Sequence, residues 1–282
     1  MKNLGRLGLF LAAFLWGISF VLMKNVLSSI SPLYIIAFRF CGAAIILTPA
    51  CARKFKKLDS AYLRGGALMG AALLLGYVFQ TYGLRLTTPG KNAFLTSTYC
   101  IIVPFLYWAY IKKKPDRFNA AAAIVCLVGI GLISLDRDLR IGAGDALTIA
   151  CGFFYALHIV ITAKTVDGRD PVVLAMLQFA SAGILSLIGA TILEPLPSLL
   201  SAADIWTLVF LTVVTTAGCL LLQVFGQKYT PPAQAAVIMT LESVFGALAS
   251  VVLFQERLTL KLAAGFALTF AAVIVSETKL GK

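Results

Sequence analysis

Two charged side chains, Arg39 and Glu242, stand inside long apolar runs, as does the one histidine, His158. Ionisable groups at such positions are costly in a membrane and are functional candidates by default. Glu242 lies about ten residues into its run, too deep for a short side chain to reach an interface. It is either a proton-carrying group or a structural partner, of Arg39 or of helix-end amides. Arg39 has two readings as well: a functional charge, or a long stem that snorkels to the interface. His158 suits proton coupling or is a satisfied packing residue. Tyr155 precedes it by three residues, on the same helical face. Trp16 and Ser19 repeat that aromatic-polar spacing near the start of the chain. Gln80 and Gln223 are amides in apolar surroundings, which bind a partner helix or face a wet path. Tyr77, Tyr99, Thr96 and Thr240 add hydroxyls. Together such groups suit either a shared cavity wall or hydrogen bonds that hold helices together.

Other chemistries lack their residues. Nucleophilic catalysis needs a nucleophile with a base, but the sequence has one His, no Gly-x-Ser-x-Gly and no His-x-x-x-His. The six cysteines (Cys41, Cys51, Cys100, Cys126, Cys151 and Cys219) form no Cys-x-x-Cys pair and none sits beside the His. Neither a disulfide framework nor a zinc site is suggested. There is no P-loop, so ATP does not drive the protein directly, and Gly142-Ala143-Gly144 lacks the third Gly and preceding strand of a dinucleotide site. No metal and no cofactor are expected.

The elements that position these residues are membrane helices. Of 282 residues, 60% are hydrophobic and 13% charged, and the mean hydropathy is +0.93. A soluble domain is roughly a quarter charged, so soluble enzymes, nucleic-acid-binding domains and disordered chains are excluded. Ten apolar runs predict spans at 5–26, 32–51, 65–86, 93–111, 118–135, 145–164, 171–193, 204–226, 233–254 and 260–276. Stretches such as 68–78 and 120–135 are continuously apolar, which suits helices and not the alternation of barrel strands. The N-terminal run continues to Val26 with no small-residue cleavage site at the right place and reads as a retained span.

The net charge of +12 comes from 24 Lys and Arg against 12 Asp and Glu. The basic residues cluster between apolar runs, as in cytoplasmic loops, and not on a nucleic-acid-binding face. With the N-terminus inside, sixteen fall on the inner side and seven on the outer, with Arg39 within a span. That excess predicts a multi-pass protein of the cell membrane with both termini cytoplasmic. Trp108, Trp206, Tyr110 and Tyr62 lie near span ends as interfacial anchors. Gly66 and Gly70 form a small-residue helix contact, and Asp145 reads as an N-cap.

The halves resemble each other. At an offset of 139, Pro32, Phe40, Ala43 and Ile45 match Pro171, Phe179, Ala182 and Ile184. At 143, Gln80, Gly83, Thr87, Pro89 and Ala93 match Gln223, Gly226, Thr230, Pro232 and Ala236, and Tyr99 falls on Glu242. Two units follow, 1–140 and 141–282, each of five spans. Five is odd, so the second is inverted relative to the first. The predicted fold is all-α integral membrane: ten transmembrane helices as two inverted five-helix repeats, an architecture that places a substrate site near the midplane between repeats.

The order and spacing of several short stretches carry a family resemblance. They are Phe14 to Val21, Pro32 to Arg39, Pro89 to Thr96, Leu241-Glu242-Ser243-Val244-Phe245 and Gln255-Glu256-Arg257-Leu258-Thr259. The chain resembles EamA-type members of the drug/metabolite transporter superfamily. Ser243 stands where the family has Pro, which questions a kink there, and Gln255 where it has Gly. The resemblance implies a secondary transporter that exports or exchanges small organic metabolites, such as amino acids, by alternating access. On this reading Trp16, Ser19, Tyr77, Gln80, Tyr99, Tyr155, His158 and Gln223 line the substrate cavity. Arg39 and Glu242 serve gating or coupling. The expected partners are a small-molecule solute, the lipid bilayer and protons, with no nucleic acid, in a monomer or homodimer. An intramembrane enzyme and a membrane sensor or scaffold without transport are the alternatives.

Overall fold

The computed structural model describes residues 1–112, 117–134, 142–197, 199–254 and 259–278. Within these the chain is all-helical. The helices are α1 (Lys2–Val26), α2 (Pro32–Cys51), α3 (Ser60–Leu86), α4 (Pro89–Thr96), α5 (Tyr99–Ile111), α6 (Arg117–Ser134), α7 (Ala143–Thr165), α8 (Pro171–Leu193), α9 (Ala202–Phe210), α10 (Cys219–Tyr229), α11 (Pro232–Met239), α12 (Leu241–Phe254) and α13 (Leu260–Thr278). A 3₁₀ turn follows α2 at Ala52–Lys57, and a π-helical segment, Leu211–Gly218, joins α9 to α10. Among the described residues eight stretches are long and apolar enough to cross a membrane, and α6 and α13 carry shorter apolar stretches, Ala120–Gly129 and Ala263–Ala272.

Three of the predicted spans differ in form. The fourth is broken between α4 and α5, the ninth between α11 and α12, and the eighth contains the π segment. The ninth break needs no proline. Thr240 interrupts the helix, and Ser243 Oγ donates to Thr240 O at 2.7 Å. The same carbonyl accepts the Ser243 backbone N–H at 3.0 Å, so the first turn of α12 closes directly on the break. Asp145 is not the N-cap of α7. Gly142 is, and the Asp145 carboxylate reaches back one turn to accept the Gly142 N–H at 2.9 Å. Of the motif after the ninth span, Gln255 to Leu258 lie outside the described residues, as do Lys113, Lys114, Arg137, Arg140, Lys279 and Lys282 from the orientation count.

Small residues set the helix spacing. A Cβ on Gly70 would meet the Gln178 carbonyl at 2.6 Å, so α3 can touch α8 only through glycine there. A Cβ on Gly17 would meet Gly246 N at 2.7 Å where α1 crosses α12. Without a hydrophobic driving force between helices in lipid, such close approach supplies the dispersion contact that holds them. Buried side chains centred on Phe40, Met69, Leu73 and Phe179 fill the space between α2, α3 and α8. The outer face is apolar in the opposite sense to a soluble protein: Ile45, Ile192 and Leu193 are each more than 70% exposed.

The long α2–α8 contact is tied at both ends by carboxylates. On the side where the N-terminus lies, Asp170 caps α8, accepting the Val172 N–H at 2.9 Å, and pairs with Lys54 beyond α2 at 2.6 Å. On the far side, Glu194 at the end of α8 accepts the Leu33 and Tyr34 N–H groups that open α2, at 3.0 and 3.3 Å. It also accepts the Tyr82 hydroxyl of α3 at 2.6 Å. An anion at a helix N-terminus answers both the unpaired amides and the helix dipole.

Two outcomes follow. Glu194→Gln weakens the far tie; at about 1–2 kcal/mol for hydrogen bonds to a charged group, the unfolding midpoint in detergent falls by about 3–6 °C. For Asp170, burial pushes its carboxyl up, but the Lys54 ammonium and the Val172 amide more than offset this and hold it below the ordinary carboxylate value. A depressed folded value means stability present above the unfolded value and lost as pH falls through the folded one. Asp170→Asn therefore lowers stability at about pH 7 and flattens its acid limb, read from unfolding midpoints across a pH series.

Candidate functional site

The helices converge on a central cavity of about 60 Å³. All ten residues singled out as site candidates line it: Trp16 and Ser19 from α1, Arg39 from α2, Tyr77 and Gln80 from α3, Tyr99 from α5, Tyr155 and His158 from α7, Gln223 from α10, and Glu242 from α12. Apolar residues complete the wall, among them Phe20, Leu73 and Met239.

Arg39 does not snorkel. It is 3% exposed, and its guanidinium is held by the π segment: Nε donates to Thr216 Oγ1 at 2.9 Å and Nη2 to Thr215 Oγ1 at 3.1 Å. Nη2 also donates to the Tyr77 hydroxyl at 3.4 Å, and the guanidinium carbon lies 4.9 Å from that ring's centroid. The wider π turn brings two consecutive threonines onto the side facing α2. Both hydroxyls donate back to Leu211 O at 2.8 Å, which leaves their lone pairs for Arg39. π segments often occur at functional sites because they displace side chains from the regular register. The same segment offers the Thr215 carbonyl to the Trp16 indole N–H at 2.8 Å. Thr215 and Thr216 escaped the sequence reading; their only signal was a pair of adjacent threonines inside an apolar run.

Glu242 and Arg39 do not form an ion pair among the described residues. Glu242 Oε1 instead accepts the Tyr99 hydroxyl at 3.0 Å. The two residues that coincide at the offset of 143 thus touch each other. Each lies in the first turn of a helix that restarts after a break, α5 for Tyr99 and α12 for Glu242. The amino end of a restarted helix presents unpaired N–H groups and a positive dipole end, which favours a carboxylate in its first turn.

Other polar groups of the lining form two separate hydrogen-bonded sets. The Tyr155 hydroxyl donates to Gln80 Oε1 at 2.9 Å, and Gln80 Nε2 donates to Thr96 Oγ1 at 3.2 Å. The rings of Tyr77 and Tyr155 meet edge-on at 5.6 Å. His158 Nε2 lies 2.9 Å from Gln178 Oε1 and 3.3 Å from Thr162 Oγ1, so this histidine bridges the cavity wall to α8. Of the hydroxyls outside the cavity lining, Thr240 receives the Cys126 thiol at 3.3 Å. No group of three His, Cys, Asp or Glu that could hold a metal occurs among the described residues.

A cavity lined by aromatic, apolar and a few polar side chains thus lies at the centre of a helical membrane bundle, and comparison with known proteins gives the family. The EamA-like transporter family matches the chain twice, over residues 3–135 and 142–278, and the chain belongs to it. An uncharacterized transporter of Archaeoglobus fulgidus is 32% identical over 276 residues, covering 96% of this chain and 85% of its own. The uncharacterized transporter YoaV of Bacillus subtilis is 22% identical over 218 residues, covering 74% of this chain and 75% of its own. A protein of known crystal structure shares the fold with a TM-score of 0.81 at 17% identity, over the full length of both chains. The chain is thus a multi-pass membrane protein of a transporter family.

The Arg39 cradle is testable by a double-mutant cycle. Thr216→Val leaves a buried guanidinium N–H without an acceptor and costs about 1–3 kcal/mol. Arg39→Met removes the charge itself, so the two losses are non-additive, with a coupling of about 1–2 kcal/mol between contacting residues. Unfolding free energies of the two single variants and the double variant in detergent measure it.

Proposed function

We propose that the protein is a secondary transporter that exports or exchanges small organic metabolites, amino acids or related solutes, by alternating access through the central cavity. The observation that carries this reading is the pair Arg39 and Glu242. Both are buried in the wall of one cavity, and each is held by hydroxyls rather than by an opposite charge. Neutral partners satisfy hydrogen-bond geometry but leave a buried charge uncompensated, which is expensive. A zwitterionic solute with its carboxylate toward Arg39 and its ammonium toward Glu242 would compensate both. The tyrosines and Trp16 would pack on its apolar part, and Gln80, Gln223, Ser19 and His158 would orient it.

A volume of about 60 Å³ holds roughly two waters, and small-molecule sites generally need about 300 Å³ or more. On this reading the structure is a contracted state, and solute binding needs an opening on one side. The architecture that provides it is ten helices in two inverted repeats, 1–140 and 141–282. Supporting this are the double family match, the breaks in both the α4–α5 and α11–α12 spans, and reciprocal packing. The contact of α3 with α7 is answered by that of α10 with α1, and α2 faces α8 across the centre. The repeats would rock about the cavity, with both termini on the cytoplasmic side of the cell membrane. Glu242 is the proton-coupling group: a proton taken up by the carboxyl would weaken its hold on an ammonium.

Counterflow of labelled amino acids into proteoliposomes tests the reading. Wild-type protein gives solute exchange that depends on pH. Glu242→Gln abolishes the pH dependence, and Arg39→Gln lowers apparent affinity by about tenfold, the equivalent of roughly 1.4 kcal/mol. Wild-type protein that moves no such solute, or a Glu242→Gln variant with unchanged pH dependence, overturns the respective part.

A further inference from the structure

Away from the cavity, a groove of about 430 Å³ opens on the outer face where α3 and α5 diverge over α7. Its floor is the crossing of α3 and α7 at Gly65 and Thr165, which are in contact only because Gly65 has no side chain. Its walls are apolar, with Leu68 from α3, Leu106 from α5 and Val160 from α7. Three cations stand at one end: Arg64, Lys164 and Arg169. Among the described residues no Asp or Glu lines the groove. Asp170, next in the chain, is already paired with Lys54 at 2.6 Å. Two of the cations are held in place. Lys164 Nζ sits 4.2 Å from the centroid of Tyr110, and Arg169 is fixed by donating to Thr165 O at 2.9 Å.

The two parts of the groove match the two parts of one ligand class. From Lys164 to Leu157 the groove runs about 10 Å along α7, at 1.5 Å per residue. That length of apolar wall faces the side on which Leu68 is 59% exposed, which is the lipid side. The charged end lies where α3 begins and α5 and α7 end, the level at which headgroups meet the protein. We propose that this groove binds an anionic phospholipid of the surrounding bilayer, its phosphate among Arg64, Lys164 and Arg169 and an acyl chain along the apolar wall. Basic pockets between membrane helices bind anionic headgroups through the same combination. The ligand bridges three helices, two of which, α3 and α7, carry Tyr77, Gln80, Tyr155 and His158 into the central cavity. Occupancy therefore fixes one end of the helix pair that forms the cavity wall.

The test is thermal unfolding of the purified full chain in detergent, with added phosphatidylglycerol, phosphatidylcholine of the same acyl chains, or inorganic phosphate. Phosphatidylglycerol raises the wild-type midpoint by about 3 °C or more over phosphatidylcholine, and inorganic phosphate does not. Arg64→Gln with Lys164→Gln abolishes that difference, whereas Lys2→Gln with Arg53→Gln, which removes two cations elsewhere on the same side, keeps it. Leu68→Trp fills the groove without changing charge, at a lipid-exposed position where folding tolerates it, and also abolishes the difference. The proposal is overturned if the Arg64/Lys164 variant or the Leu68 variant, folded, keeps the full anionic preference. It is also overturned if the Lys2/Arg53 variant loses as much, or if inorganic phosphate protects equally. None of these outcomes depends on solute transport.

Discussion

The centre of this structure depends on how a full positive charge is kept in the middle of a membrane bundle. Arg39 is 3% exposed, and among the described residues no carboxylate pairs with it. Its surroundings are built to supply neutral acceptors instead. The π segment widens the helix by one residue per turn, frees two threonine hydroxyls and a carbonyl, and hands them to Arg39 and Trp16. Tyr77 adds a hydroxyl and a ring face. A regular α-helix through 211–218 would rotate these groups out of register. Most of this irregular backbone packs against protein, the condition under which non-helical structure survives at membrane depth.

Other departures from regular helix sit at the same level. The breaks before Tyr99 and Glu242 bring two helix starts together, and the tyrosine and the carboxyl meet across them. Away from the centre, the ties are carboxylates on helix ends. Asp170 and Glu194 hold opposite ends of the α2–α8 pair, and Lys24 caps α3 by donating to Leu84, Arg85 and Thr87 carbonyls. Charge at the ends and hydroxyls at the centre follow one rule. Near water a charge can be paired at modest cost, whereas deep in the bundle neutral dipoles are the affordable partners.

Much of the fold was legible because lipid leaves few alternatives. Apolar runs of the right length must be helices, and the bounds of α2 and α8 coincide with the runs at 32–51 and 171–193. The ten candidate residues could be named because a polar group in such a run is rare enough to stand out. The internal offset of 143 already matched Tyr99 to Glu242 as counterparts in the two copies. What it could not supply was the contact between them, since an offset relates positions in two copies and says nothing of the distance between the copies.

The sequence by itself determined the solvent, the helical class and which polar groups interrupt the apolar runs, because hydropathy and run length are properties of single segments. Only the tertiary structure decided the partners. Arg39 was open between snorkelling and burial until the π segment of a distant helix met it, and Asp145 turned out to cap from the third position. The break at Thr240 is present without proline, and both the Ser243 hydroxyl and its backbone N–H meet the Thr240 carbonyl there. Hydrogen bonds between residues far apart in the chain depend on the register and crossing of helices. Those are set by small residues such as Gly17 and Gly70 meeting a neighbour that local sequence does not name.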